Sequence, residues 1–245
     1  FESVEAWSTF DPSKNGVGVS PIGFMDISFD GQFLYFAPRL LDDIGNEILR
    51  YDTTKDFESV EAWSTFNPMH DAPFLPVGYS NGVYEKDYVY FPQINNGVTT
   101  GGGVLRYDTT KDFESVEAWS TFDPSKNGVG YDATGYWGGT FDGHYVYFSP
   151  DWNFDEDEEV SVPHGEVLRY DTTKEFESVE AWSTFDASKN GVGYDPREYL
   201  NAVFDGKSIY FAPLSNKDGK SHGEVLRYDT TKEFESVEAW STFDP

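Results

Sequence analysis

The ten residues FESVEAWSTF occur five times in this chain, beginning at Phe1, Phe57, Phe113, Phe176 and Phe234, at spacings of 56, 56, 63 and 58 residues. A period of that size means that one supersecondary unit is built repeatedly, and that neighbouring units must cover each other's apolar faces. The sequence between copies keeps a fixed order. ISFDGQFLYFAP, VYEKDYVYFPQ, GTFDGHYVYFSP and AVFDGKSIYFAP are each followed by a variable stretch and then by ILRYDTT or VLRYDTT. The chain therefore holds four full units and one spare leading segment.

Each unit predicts four short β-strands: in the first, the segment ending at Phe29, the alternating QFLYFAP, the EILRYD segment, and a last strand within EAWSTFD. Asp-Gly at 30–31, 142–143 and 205–206 is a tight-hairpin signal. Phe57 and Val60 stand three apart, which allows a helical turn before the last strand. A single four-stranded sheet cannot cover both of its faces, whereas radially arranged sheets cover one another and leave only short edges. The expectation is an all-β fold, a four-bladed β-propeller of four-stranded antiparallel blades in one domain over residues 1–245. Its units span about 11–66, 67–122, 123–185 and 186–243, and residues 1–10 form the extra outer-strand segment. A fifth blade would need inner strands that the first 23 residues do not supply.

Composition narrows the partners. Hydrophobic residues make up 38% and aromatics 18%, enough for a sizeable core, and 44 acidic against 17 basic side chains give a formal charge of −27. Such a surface repels nucleic-acid phosphates and anionic membranes and favours cations, solubility and tolerance of salt. Cysteine is absent, which excludes disulfides, thiol nucleophiles and thiolate metal sites. No apolar run approaches the roughly 18 residues that would span a bilayer, so membrane insertion is not expected. The sequence starts at Phe1, inside a repeat, as a processed product or a segment would, and an extracellular or periplasmic location is favoured.

The recurring FDG, YVYF.P, HG.VLRYDT and F....W..FD resemble bacterial tandem-repeat β-propeller proteins, over nearly the whole chain. A weaker likeness to the kelch repeat lies in the YD strand end, without the kelch double glycine. The resemblance implies a propeller and no particular chemistry.

In an antiparallel four-stranded blade the 1–2 and 3–4 connections fall on one face and the 2–3 and 4–1 connections on the other. The first pair is short and nearly constant here. The second carries the variation: RLLDDIGN, QINNGVTTGGG, DWNFDEDEEVSVPHG and LSNKDGKSHG after strand two, and NPMHDAPFLP in place of DPSKNGVG before one first strand. Variable loops on a rigid scaffold are where binding is placed. Any ligand is therefore expected near the loops at 67–76, 151–164 and 214–222, or at the mouth of the central channel. At that mouth, alignment puts Phe24, Tyr79, Tyr136 and Tyr199 at one position and Asp26, Asn81, Gly138 and Asn201 two residues on, aromatic and small polar groups suited to a sugar. Trp152 in the third loop joins this set.

Asp151, Asn153, Asp155 and Asp157 alternate as in the first half of a calcium loop, though Glu156 replaces the turn glycine and Val162 the closing glutamate. Calcium is thus a weak-binding candidate, and no cofactor is required. His164 and His222 precede two of the GEVLRYD segments and His70 lies beside Asp71, but the other units have Ile44 and Gly102, so no ring of imidazoles exists. Nucleophile-elbow, phosphate-loop and paired-histidine motifs are missing.

Three functions are compatible with these residues. The first is a non-catalytic binding module for a polar ligand or glycan. The second is a structural protein that pairs with copies of itself through the spare strand. The third is a cation-dependent propeller hydrolase or lactonase using Asp26, Asn81 and Asn201. Near-identical units count against catalysis, which needs different groups in different roles. Residues 1–12 duplicate 234–245, so the two compete for one outer-strand place. Residues 1–12 are expected either to close the ring on the last blade or to pair with another chain.

Overall fold

The computed structural model describes residues 6–39, 46–68, 78–94, 101–131, 133–155 and 160–245. Among them are 18 strands, arranged in four antiparallel four-stranded sheets and one two-stranded hairpin. Sheet 1 contains β1 (Phe24–Phe29), β2 (Phe33–Pro38), β3 (Ile48–Asp52) and β4 (Trp63–Phe66), paired in chain order. Sheet 2 repeats this with β5 (Val83–Glu85), β6 (Tyr88–Pro92), β7 (Val104–Asp108) and β8 (Trp119–Phe122). Sheet 3 has β9 (Tyr136–Phe141), β10 (Tyr145–Pro150), β13 (Glu166–Asp171) and β14 (Trp182–Asp186), and between β10 and β13 the chain makes the hairpin β11 (Trp152–Asp155) and β12 (Val160–Pro163). Sheet 4 is β15 (Tyr199–Phe204), β16 (Ser208–Pro213), β17 (Val225–Asp229) and β18 (Trp240–Phe243). Among the described residues no helix is long and apolar enough to cross a membrane.

The local chemistry repeats with the sequence. At the first hairpin Asp30 Oδ1 accepts the N–H groups of Gln32 and Phe33, Tyr35 donates its hydroxyl to Asp30 Oδ2, and Gly31 takes φ +104°. Asp142 and Asp205 do the same in units 3 and 4. The turn anticipated from Phe57 and Val60 is a 3-10 turn at Val60–Ala62, locked by Trp63 Nε1 donating to the Phe57 carbonyl and Lys55 Nζ donating to that of Glu61.

The sheets pack face to face in chain order, and each joint uses the same side chains. Phe66 stacks on Trp119 at 4.4 Å, Phe122 on Trp182 at 5.6 Å and Phe185 on Trp240 at 4.7 Å. Tyr35, Tyr90 and Tyr147 reach Tyr107, Tyr170 and Tyr228 of the following unit at 5.5 to 5.8 Å. Arg50, Arg106 and Arg169 lie over Phe113, Phe176 and Phe234 of the following unit at 4.1 to 4.3 Å. Buried clusters accordingly span sheets 1 and 2, 2 and 3, and 3 and 4.

The duplicated termini resolve differently from the closure that the sequence suggests. The last copy keeps its outer-strand place as β18, and among the described residues of the first, 6–10, none belongs to a strand of sheet 4. Instead Phe10 stacks on Trp63 of sheet 1 at 5.5 Å, as an outer-strand Phe of a preceding unit would. The four sheets are not closed into a ring, and Phe243 remains exposed.

Candidate functional site

The 4–1 loops of units 1, 3 and 4 are held by a glutamate just before the third strand. Glu47 accepts the N–H groups of Val19 and Ser20 and the hydroxyl of Thr65. Glu166 accepts from Tyr131 N–H, and Glu224 from Tyr194 and Asp195 N–H. The turn needs a glycine against that carboxylate: Gly18 has φ +63°, and a Cβ there would lie 2.6 Å from Glu47 Oε1. Unit 2 lacks both halves of this clamp, having Gly103 in place of the glutamate and NPMHDAPFLP in place of the glycine turn.

Between units 3 and 4 the variable face departs furthest from the repeat. The described part of the acidic segment forms the β11–β12 hairpin, with Trp152 opposite Pro163 and Asn153 opposite Val162. Asp151 turns inward and is buried, and its backbone N–H donates to Gly135 while its carbonyl accepts from His164 N–H. The Trp152 ring reaches the unit-4 loop, within 3.9 Å of a Cβ built on Gly219.

Glu198 completes the cluster. The residue before the inner aromatic is Gly23, Gly78 and Gly135 in the first three units and Glu198 in the fourth, where it has positive φ (+48°) as Gly23 (+73°) and Gly135 (+66°) do. A side chain held in that region is uncommon and costs on the order of 1 kcal/mol. Glu198 is only 4% exposed, its Oε2 lacks a hydrogen-bond partner, and the Trp152 side chain is hydrogen-bonded to its carboxylate. Burial raises the Glu198 pKa, and burial together with the Glu198 charge pushes Asp151 up to about 7. Two buried carboxylates therefore interact, one of them hydrogen-bonded to the Trp152 side chain, with Glu198 Oε2 left unpartnered.

The histidines serve the scaffold. His164 Nε2 meets the Gly135 carbonyl at 2.8 Å and His222 Nε2 that of Arg197 at 3.1 Å, while each Nδ1 accepts the N–H two residues on. Both ring nitrogens of each are thereby engaged. His70, Asp157 and the side chain of Asp155 lie outside the described residues. Among the described residues no three His, Asp or Glu side chains converge as a metal site.

Three of the four aromatics expected at the channel mouth are core. Tyr79, Tyr136 and Tyr199 are buried, Tyr136 against Phe148 and His164 and Tyr199 against Phe211 and His222, and the Tyr199 hydroxyl donates to the Glu224 carbonyl. Phe24 packs on Phe36. The three tyrosines therefore fill sheet joints and present no face to a sugar, whereas Phe24 is half-buried. Asp26 Oδ1 accepts Ile27 N–H, and Asn201 Oδ1 accepts from Gly139 and Ala202, so two of the four side-chain oxygens proposed for a channel cation already have partners within the fold. Asn81 Oδ1 is buried without a partner.

The opposite face carries a cavity of 210 Å³ lined by Arg169, Asp171, Lys174, Glu180 and Glu235 among others. Its lining recurs in other units, as Arg106, Asp108, Lys111 and Glu117 show for unit 2, which marks it as a gap of the scaffold. Sequence inspection singled out Asp151 and Trp152 but missed Glu198. The available signal was one glutamate aligned with three glycines.

An all-β array of antiparallel four-stranded sheets is thus the class this chain defines. No family model matches it, and no curated protein does either. Among solved structures 109 chains are similar to it. One of them, described as "Structure of YjhT", has a TM-score of 0.53 at 14% identity, over 94% of this chain and 68% of that one. At this identity the likeness concerns the fold alone.

Proposed function

We propose that the four sheets are propeller blades, and that the protein is a non-catalytic binding module whose 2–3 and 4–1 loop face takes a polar ligand, a glycan foremost. The site is the junction of units 3 and 4 at Asp151, Trp152 and Glu198. One observation carries it: the strained, buried Glu198 stands where the other units have glycine, with an unpartnered oxygen beside a second buried acid and an indole. Backbone strain and raised carboxylate pKa values concentrate at functional sites. An indole plane and unspent carboxylate oxygens suit a ring bearing hydroxyl or amino donors. No cofactor is required, and calcium at Asp151, Asn153, Asp155 and Asp157 is expected to bind more weakly than micromolar, which calorimetry checks.

Calorimetric titration with a panel of neutral and amino sugars tests the site. Trp152→Ala and Glu198→Gly are expected to abolish binding while the fold persists, since glycine is what the other units carry. Binding that survives both changes, or no binding by any sugar, would sink the glycan reading. A hydrolase is the second reading, because an acid near neutrality beside another is what acid–base chemistry uses; turnover of a bound glycoside, lost in Asp151→Asn, would favour it.

A further inference from the structure

The aspartate that ends each third strand has its own cation. Asp52 is held by Lys55, Asp108 by Lys111 and Asp171 by Lys174, each three residues on and each lysine half in solvent. The two acids at the junction of units 3 and 4 break that rule. Asp151 and Glu198 are buried, and among the described residues the one basic side chain that acts on either is His222, on Glu198. Arg197 is next in sequence, but it is spent on Asp195 at 2.8 Å and on the Pro163 carbonyl at 3.4 Å. Buried carboxylates are ordinarily paired.

The backbone makes the two acids neighbours, since His164 donates its N–H to the Asp151 carbonyl at 3.1 Å and accepts the Glu198 N–H at 3.0 Å. The unit-4 loop completes the junction. Leu214 N–H donates to the Glu198 carbonyl at 3.0 Å, Ser215 pairs with Ser221, and Gly219 of the same loop is the residue that the Trp152 ring approaches. Ser215 Oγ is buried there without a hydrogen-bond partner, and so is Ser149 Oγ. Ser149 shares its side of β10 with Tyr147, which packs on Tyr228 and Phe234 of unit 4, and it stands where units 1 and 4 have Ala37 and Ala212. Glu198 Oε2 is the third such oxygen.

We infer that the group recognised at this junction is a protonated primary amine, so that its ligand is an amino sugar and not a neutral one. This rests on the sugar reading proposed above and narrows it. An ammonium brings three N–H donors and no acceptor, and so suits an unspent carboxylate oxygen and hydroxyls free to accept. It supplies the missing counter-charge, and it is a cation that an indole face attracts. A sugar hydroxyl in the same place brings one donor and leaves the charge uncompensated. Calcium takes about six to eight oxygens at once, whereas each carboxylate here already accepts from Trp152, Glu198 from its side chain and Asp151 from its backbone N–H.

Calorimetric titration of the whole chain with glucosamine, N-acetylglucosamine and glucose tests this. The titration is run near pH 6, where the amine is charged, and in about 0.15 M salt, which screens the general pull of a charge of −27 on any cation. Glucosamine is expected to bind roughly ten- to hundredfold more tightly than the other two, the worth of one hydrogen-bonded charge. Glu198→Gln keeps the shape of the side chain without its charge and is expected to bring the three affinities together. The comparison of sugars on the unaltered chain decides the matter even where that variant does not fold. Glucose binding as tightly as glucosamine overturns the amine and leaves the sugar reading standing, and a preference that Glu198→Gln keeps in full overturns the amine as well. Binding of none of the three overturns both readings. Displacement of glucosamine by micromolar calcium assigns the acids to a metal ion and overturns the amine.

Discussion

Phe66 and Phe243 occupy the same place in two identical copies of FESVEAWSTF. One is enclosed, stacked on Trp119 at 4.4 Å with the ring planes 5° apart, and the other stands in solvent. Nothing in the local sequence separates them. What differs is the neighbour: Trp119 of the next unit covers Phe66, and none of the described residues covers Phe243 in that way. In a quasi-linear array stability is shared between units and the joints between them, so an identical residue has a different worth at each position.

The same substitution at the two positions turns that difference into a measurement. Phe66→Ala should cost about 3 to 5 kcal/mol, the range for truncating a buried Phe, whereas Phe243→Ala should stay within about 0.5 kcal/mol. Denaturant midpoints with unchanged slopes report both. Equal losses would mean that the face bearing Phe243 is covered in solution.

A second contrast lies between Glu198 and its glycine counterparts, and it makes stability depend on pH through Asp151. With Asp151 pushed up to about 7 from 3.8, the folded state keeps a proton between those pH values that the unfolded state has released. The unfolded chain binds fewer protons there, so stability falls as pH rises from about 4 to 7 and is level above, by up to about 4 kcal/mol in all. Asp151→Asn should flatten that decline, and the difference between variant and parent in melting temperature should open with rising pH. A constant difference across the range would show that Asp151 is ionised in the folded protein.

The array was legible because its signals are local and repeated. Alternation in QFLYFAP, Asp-Gly at the hairpins and the Phe57/Val60 spacing each act within a few residues and recur in most units. The hairpin inside SPDWNFDEDEEVSVPHG was hidden, since its acidic residues read as a solvated loop while Trp152 and Val162 supply too short a pattern for a strand. The channel-mouth tyrosines were misread because alignment gives a shared strand face but not which faces neighbouring sheets cover. Glu198 matters through a backbone angle and a partner in another unit, neither of which spacing encodes.

The clamp gives a contrast between units with and without it. Glu224→Ala removes two hydrogen bonds from backbone N–H groups to a carboxylate, and should cost about 2 kcal/mol. Gly103→Glu in unit 2 should gain nothing, because NPMHDAPFLP offers no glycine turn for the carboxylate to hold. A stabilised Gly103→Glu variant would show that the glutamate acts independently of the turn.

The smallest effect concerns the first hairpins. Units 1, 3 and 4 place glycine at the turn with φ of +104°, +101° and +97°, whereas unit 2 has Lys86 at +47°. The two angles are different solutions. Near +47° a side chain sits in the left-handed α region at a cost of about 1 kcal/mol; near +100° it leaves that basin, where only glycine is at ease. Lys86→Gly would relieve the strain but give the unfolded chain more freedom to lose, worth roughly 0.4 to 1 kcal/mol, so the two terms nearly cancel. The expected shift is within about 0.5 kcal/mol. Gly143→Lys, by contrast, must either distort the turn to the unit-2 geometry or carry the strain, and should cost about 1 to 2 kcal/mol although a Cβ there meets no atom within 4 Å. A neutral Gly143→Lys would show that the two turn geometries interconvert freely, and that the asymmetry between them comes from Glu85 and Asp87 around Lys86 and not from the backbone angle.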